Sequence, residues 1–479
     1  MQIKIKWSEI DCDKAKKKVN KLQSKIAKVT ERGRWNLVKK LQHLLTNSLF
    51  ALYIAVKKVS SNKGKNTPGV DGKLLKTVKE KEEVIISLKT KKYKSSPLRR
   101  IYIPKKNGKK RPLGIPTMKD RVMQALHHMA LDPIAEIISD RTSFGFKRKR
   151  SCQDAMAYLY ITLARKTSAT KILECDIEGC FDNISHEWNL KNVPMNKRTL
   201  KEFLKSGYIF EGEIYKTETG TPQGGIISPT LANITLDGME RILQEKYWVN
   251  KKGRIDRQHN KKKVYLTRYA DDFVVTETSE ETLLEIKEIL RDFLRERGLK
   301  FSEEKTKIVD INDGFDLLGW NFRKYGEKLL IQPSDKSLKG IVEKIKAIVK
   351  QMRSTKQEVL IKRLNPIITG WCNYHKAVCS KKTYQDLDSI IFEILWKWAK
   401  RRHQNKSRKW IKKRYWKREG QRDWIFRDKE TKLKFASDTK IIRHTLVKLE
   451  ANPYLPKYRE YYEKRDKDKT IKAIKAKIG

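Results

Sequence analysis

The chain has 479 residues, with 109 Lys or Arg against 57 Asp or Glu and a formal net charge of +52. A hydrophobic content of 38% supplies cores of ordinary size and excludes wholesale disorder, while no run reaches the ~18 apolar residues of a membrane span. So much positive charge opposes a compact state unless a polyanion neutralises it, and nucleic acid, which releases counterions on binding, is the natural partner.

Met1 to Trp7 alternate apolar residues with Lys and lack a signal core, and Glu9, Asp11 and Asp13 speak against a transit peptide. Cys12, Cys152, Cys175, Cys180, Cys372 and Cys379 form no Cys-x-x-Cys pair, so neither a zinc site nor a disulfide framework is expected. Residues 14–58 read as helix, with Leu37, Leu41, Leu44 and Leu45 at helical spacing. Asn66 to Gly69 and Asp71-Gly72 are turn signals. Residues 91–111 carry ten Lys or Arg and no acid, and Lys105 to Lys110 read as the basic tip of a hairpin. Thr230 to Gln244 read as one helix, and residues 281–297 as an amphipathic one ending at Gly298. From about 335 onward the pattern is helical, with breaks expected near Pro366, Gly370 and Gly420 and a frayed tail from Lys464. Residues 396–420 hold twelve Lys or Arg against the single acid Glu419. Trp396, Trp398, Trp410, Trp416 and Trp424 lie in or beside that run, where they would either stack on unpaired bases or fill a helical core.

Acids gather instead in the middle of the chain. Tyr269-Ala270-Asp271-Asp272 sits between Val264–Arg268 and Phe273–Val275, the pattern of a hairpin with an acidic turn. From Leu173 to Ile177 the sequence alternates, so Leu173, Cys175 and Ile177 face one way and Glu174 and Asp176 the other. If that strand lies beside the hairpin, Asp176, Asp271 and Asp272 converge. Such carboxylates hold two Mg²⁺ ions about 3.5–4 Å apart for phosphoryl transfer. Each acid alone is equally a solvated turn residue or a cap. Gly220 to Pro229 is a glycine-rich turn in which backbone could approach a ligand closely and Gln223 could reach a base or ribose. Ile103 to Pro116 places cations where they could clamp a triphosphate.

In order along the chain, these segments resemble the blocks of a group II intron-encoded reverse transcriptase and maturase. The matching stretches are Asn66–Gly72, Arg111–Thr117, Ser143–Phe146, Asp176–Asp182, Thr221–Gly225, Tyr269–Asp272 and Leu318–Trp320, then Asn365-Pro366 with Gly370-Trp371 and Tyr374. The resemblance implies an α+β right-hand polymerase, with fingers and palm over 61–325. An N-terminal RNA-binding helical extension would occupy 1–60, a helical thumb or maturase domain 326–400, and a basic nucleic-acid-binding region 401–479. It implies an RNA-directed DNA polymerase using two Mg²⁺ ions held by Asp176, Asp271, Asp272 and the Ile177 carbonyl. Lys105 and Arg111 would touch the triphosphate, Phe181 would crowd out a 2′-hydroxyl, Gln223 would line the nucleotide pocket, and Lys305 would protonate pyrophosphate. The implied partners are intron RNA, target DNA and deoxynucleoside triphosphates, with no membrane, in a bacterial cytoplasm or an organellar matrix or stroma. Cys180 stands where many relatives place an aromatic. No Cys-pair and His-Asn segment like the family's nuclease follows by Gly479, so second-strand cleavage is not expected. Two other readings compete: a non-catalytic splicing factor on a polymerase fold, and a defence or diversity-generating reverse transcriptase.

Overall fold

A computed structural model describes residues 7–90, 92–104, 108 and 110–478. Helices and strands mix in the α+β manner expected, and the chain divides into two compact units. The first comprises Met1–Ala155, Lys171–Ile308 and Val447–Arg465, the second Met156–Thr170, Val309–Leu446 and Asp466–Gly479.

In the first unit, 14–58 is not one helix but lies within three: Cys12–Glu31, Trp35–Thr46 and Leu49–Ser61. Gly33 takes a left-handed φ of 67° and ends the first, and Ser48 accepts from the Ala51 amide to start the third. The three enclose Val122, Leu126 and Ile134 of helix Met118–Ile138 in an apolar cluster with Ile26, Leu45 and Val56. The helix expected over Thr230–Gln244 is two, Ser228–Leu236 and Met239–Tyr247, parted at Gly238. Helix Glu280–Arg295 buries Leu283, Ile286, Leu290, Phe293 and Leu294, the face its spacing predicts.

The strands of this unit are, in chain order, β1 Leu98–Pro104, β2 Lys110–Ile115, β3 Lys171–Cys175 and β4 Tyr208–Phe210. They continue with β5 Glu213–Tyr215, β6 Tyr265–Tyr269 and β7 Asp272–Glu277, while β8 Lys307–Asp310 begins in this unit and its last two residues belong to the second. One sheet runs β2-β1-β4-β5 and the other β6-β7-β3-β8. The basic hairpin β1–β2 is present, but its expected tip, including Lys105, falls outside the described residues.

The second unit holds β9 Phe315–Leu317, β10 Trp320–Tyr325 and β11 Lys328–Pro333 in one antiparallel sheet, and the hairpin β12 Trp416–Glu419 with β13 Arg422–Phe426. Helices Asp335–Gln351, Gln357–His375 and Lys381–Arg402 pack around Ile345, Leu364, Tyr384 and Trp398. The breaks expected at Pro366 and Gly370 do not occur, because helix Gln357–His375 runs through both. Gly420 does mark a turn, the tip of β12–β13. The tail expected to fray from Lys464 belongs instead to helix Arg459–Ile478.

Candidate active site

In β3 and the two residues after it, Leu173, Cys175 and Ile177 are buried and Glu174 and Asp176 are partly exposed, as the sequence suggests, although Ile172 is buried as well. Strand β3 pairs with β7, with Cys175 opposite Phe273, so Asp176 follows β3 at the end of the pair where Asp272 begins β7. Tyr269 pairs with Asp272 across the β6–β7 hairpin, leaving Ala270 and Asp271 as a two-residue loop. Ala270 takes a φ of 59°, a left-handed conformation that a Cβ-bearing residue rarely adopts.

Two features hold that turn, and neither is visible in the sequence pattern. The Arg268 guanidinium is fully buried; it donates to the Ala270 carbonyl at 3.2 Å and to Asn233 Oδ1 at 3.1 Å, and it pairs with Asp237. Gly145 lies directly against the turn, where a Cβ would stand 2.3 Å from the Ala270 nitrogen. The segment carrying it is stitched to β6 by Phe144 N to Arg268 O at 2.8 Å and Arg268 N to Thr142 O at 3.0 Å. Below, Asp140 accepts from the Gly238 amide at 2.9 Å, and burial, aided by the charge of Asp237, raises its carboxyl pKa to about 7.

Asp271 is half-buried, and its pKa is raised first by burial and then by the charge of Asp176, against the opposing pull of Arg111 and Lys305. Asp176 is engaged by Lys305, whose Nζ donates to Oδ2 at 2.8 Å, and that bond holds the ammonium above its ordinary range. This pair is the middle rung of three, flanked by Lys307–Glu174 at 3.5 Å and Lys300–Glu178 at 3.0 Å. Ile177 buries its side chain in the core and bridges Phe301.

The three acids therefore share one end of the sheet. Among the described residues, however, no three acidic, His or Cys side chains are gathered closely enough to hold a metal ion. The residues still fit a hard divalent cation. All the donors are oxygens. Burial raises the pKa of Asp271 despite the charges of Arg111 and Lys305, and the charges of Asp176 and Asp271 already act on one another. A lysine ammonium occupies Asp176.

Phe181 and Gln223 come together. Both line a cavity of about 330 Å³ with Asp182, Pro112, Gly114 and Tyr208, and Gln223 Nε2 donates to Asp182 Oδ2 at 3.2 Å. Phe181 also packs on the core and meets Phe146 edge-on at 6.5 Å, so it is both core aromatic and cavity wall. The glycine-rich turn works differently from expectation. At Gly220 a Cβ would stand 2.6–2.8 Å from the backbone of Phe181 and Asp182, so close approach there is to protein backbone. Thr221 N donates to Phe181 O at 2.6 Å, which ties the turn to Phe181. Cys180 lies in the core, its thiol pushed up to about 12 by burial.

In the second unit Trp396, Trp416 and Trp424 cluster around Phe392 at 5.6–6.0 Å, and Trp398 packs on Tyr415 and Phe426. Core filling accounts for Trp396, Trp398 and Trp416, while Trp410 and Trp424 stay 37% and 39% exposed. Lys346, Lys350, Arg353, Lys397 and Arg401 line a cleft of about 840 Å³ that holds one acid, Glu393.

Residues 103–322 match the family described as reverse transcriptase (RNA-dependent DNA polymerase), and residues 7–88 the N-terminal domain of reverse transcriptase. The class is thus a reverse transcriptase, whose domains use divalent metal ions, and the α+β fold is that of a right-hand polymerase. Residues 338–416 match the group II intron maturase-specific domain. The group II intron-encoded protein LtrA of Lactococcus lactis subsp. cremoris is 32% identical over 67% of this chain and 68% of its own length. Protein YkfC of Escherichia coli is 33% identical over 67% of this chain and 93% of its own. The chain belongs to the group II intron-encoded reverse transcriptase and maturase family. No described helix is long and apolar enough to cross a membrane.

Proposed function

We propose that this chain is an active RNA-directed DNA polymerase that binds its group II intron RNA, assists its splicing and copies it at a target DNA by target-primed reverse transcription. The observation that carries the reading is the half-buried carboxyl of Asp271, raised in pKa by burial and by the charge of Asp176. A structural turn has no use for such a charge, and a polymerase does. Asp176, Asp271 and Asp272, with the Ile177 carbonyl, would hold two Mg²⁺ ions. Bound there, the ions would lower the pKa of the primer 3′-hydroxyl and stabilise charge on the leaving pyrophosphate.

The chain's own residues do the rest. Arg111, whose charge already acts on Asp271, would bind the triphosphate, joined by Lys105. Phe181 and Gln223 would define the sugar and base walls of the nucleotide site, Phe181 by crowding a 2′-hydroxyl. Lys305, paired with Asp176 at 2.8 Å, would carry a proton to pyrophosphate. The cationic cleft of the second unit, with residues 1–60 and 401–479, would grip intron RNA and DNA.

The second reading is a splicing maturase without polymerase activity. With Mg²⁺, a DNA primer on an RNA template should be extended, and Asp271→Ala with Asp272→Ala should abolish extension. Tight RNA binding by wild-type protein that never extends a primer would decide for the splicing factor.

A further inference from the structure

The sheet β2-β1-β4-β5 has two unlike faces. By the alternation of β2, Arg111 stands on one of them, and its charge reaches Asp271. On the other, the pairings Leu98–Tyr208, Tyr208–Tyr215 and Tyr102–Pro112 bring Arg100, Tyr102, Tyr208, Phe210 and Tyr215 together. Tyr208 and Tyr215 stack with centroids 5.1 Å apart and planes 13° from parallel, and Tyr102 meets Phe210 edge-on at 5.1 Å. The Arg100 guanidinium lies 3.8 Å over the Tyr208 ring.

This face is not covered as a core face would be: Tyr102 is 42% and Tyr215 39% exposed. Arg100 Nε is buried, and among the described residues it has no hydrogen-bond partner. Such an unpartnered donor costs free energy until an acceptor arrives. The patch is continuous with the candidate nucleotide site, because Arg100, Tyr208 and Pro112 line the same cavity as Phe181 and Gln223. Lys110 shares the aromatic face by register with Pro104. Glu213 is an acid on this face, and its carboxylate accepts the Tyr215 hydroxyl at 2.8 Å.

We propose that this aromatic face is a stacking platform for single-stranded RNA: the stretch of template still unpaired as it approaches the Phe181–Gln223 cavity. Exposed rings offer flat faces to successive bases, and Arg100 and Lys110 supply charge for the phosphates. An apolar protein partner would not call for the guanidinium or its unpaired donor. The inference rests on the polymerase reading for the direction of travel, and on geometry alone for the binding.

The test uses the full chain and RNA templates annealed to a DNA primer, either blunt or with an unpaired template overhang carrying a fluorescent purine analogue. Wild-type protein should quench the analogue and bind overhung duplexes more tightly than blunt ones. Tyr102→Leu with Tyr215→Leu should lose that overhang-dependent gain, roughly five-fold or more for each base unstacked, and keep its affinity for blunt duplex. The Phe pair at the same positions should restore the gain. Equal losses on blunt and overhung duplexes, or no quenching by wild type, would overturn the platform. Overhang-dependent binding in a preparation that never extends a primer would uphold the platform while sinking the polymerase reading.

Discussion

At the scale of single residues, the candidate site depends on side chains buried beneath it. Arg268 holds a strained turn while its own charge is matched by Asp237, the two side chains being 0% and 5% exposed. Arg268→Met removes one partner of a buried pair and leaves Asp237 with the longer contact to Lys147 at 3.7 Å, which should cost about 3 kcal/mol in urea unfolding. Asp140 sets a pH dependence. Its folded pKa, about 7, lies above the ordinary 3.8 because burial disfavours the carboxylate. The folded chain therefore keeps a proton that the unfolded chain has released, so this contribution is full below pH ~4 and is lost as pH rises through about 7. Stability should fall across that window, and Asp140→Asn, which keeps an acceptor for the Gly238 amide, should flatten the fall. An unchanged slope in the variant would assign the effect to other groups. Legibility at this scale was uneven. Asp176 could be placed from period-two alternation in its own strand, because exposure there follows local geometry. Arg268 could not: it sits in one arm of the expected hairpin, and its burial is made tolerable by Asp237, just past the end of helix Ser228–Leu236, and by Asn233 within that helix.

At the scale of elements, one residue type had opposite outcomes in similar settings. Gly33 and Gly238 interrupt helical patterns and end helices, whereas Gly370 and the neighbouring Pro366 sit inside one. Local propensity is a weak prior, and packing of Leu364, Ile368 and Cys372 into the second unit's core outweighs it here. Helix Glu280–Arg295 could be read directly, because its five apolar positions repeat on one face with no breaker between them. Strands β9 to β11 have no counterpart in the sequence reading, although β10 and β11 bury alternate residues along their length. The helix through Pro366 is also a clamp. Asn365 donates to the Lys432 carbonyl and accepts from the Lys434 amide, each at 2.9 Å. Two hydrogen bonds to backbone contribute about 1–3 kcal/mol together. Asn365→Ala should lower the second unit's stability by that amount and speed amide exchange at Lys434. Slow exchange retained at Lys434 would mean that the segment is held by packing alone.

At the scale of the whole chain, the net charge of +52 separates two tasks that the acids and the basic clefts divide between them. Affinity for RNA that comes from counterion release scales with the number of phosphates neutralised, with a slope of about −0.7 per contact for single strands and −0.9 for duplex DNA. Asp271 and Asp272 add no cation, so the Asp271→Ala, Asp272→Ala variant should bind RNA with the wild-type salt slope even as extension is lost. Lys346, Lys350 and Arg353 line the cleft between helices Asp335–Gln351 and Lys381–Arg402. Replacing all three by Gln should reduce the slope of log affinity against log salt by about two for a single-stranded RNA, and should do so whether or not the acids are intact. The measurement is a filter-binding or anisotropy titration repeated over a range of monovalent salt. A slope that stays at the wild-type value in the triple variant would place the RNA on other surfaces. A slope that changes in the aspartate variant would mean that the metal site and the RNA-binding surface are electrostatically one.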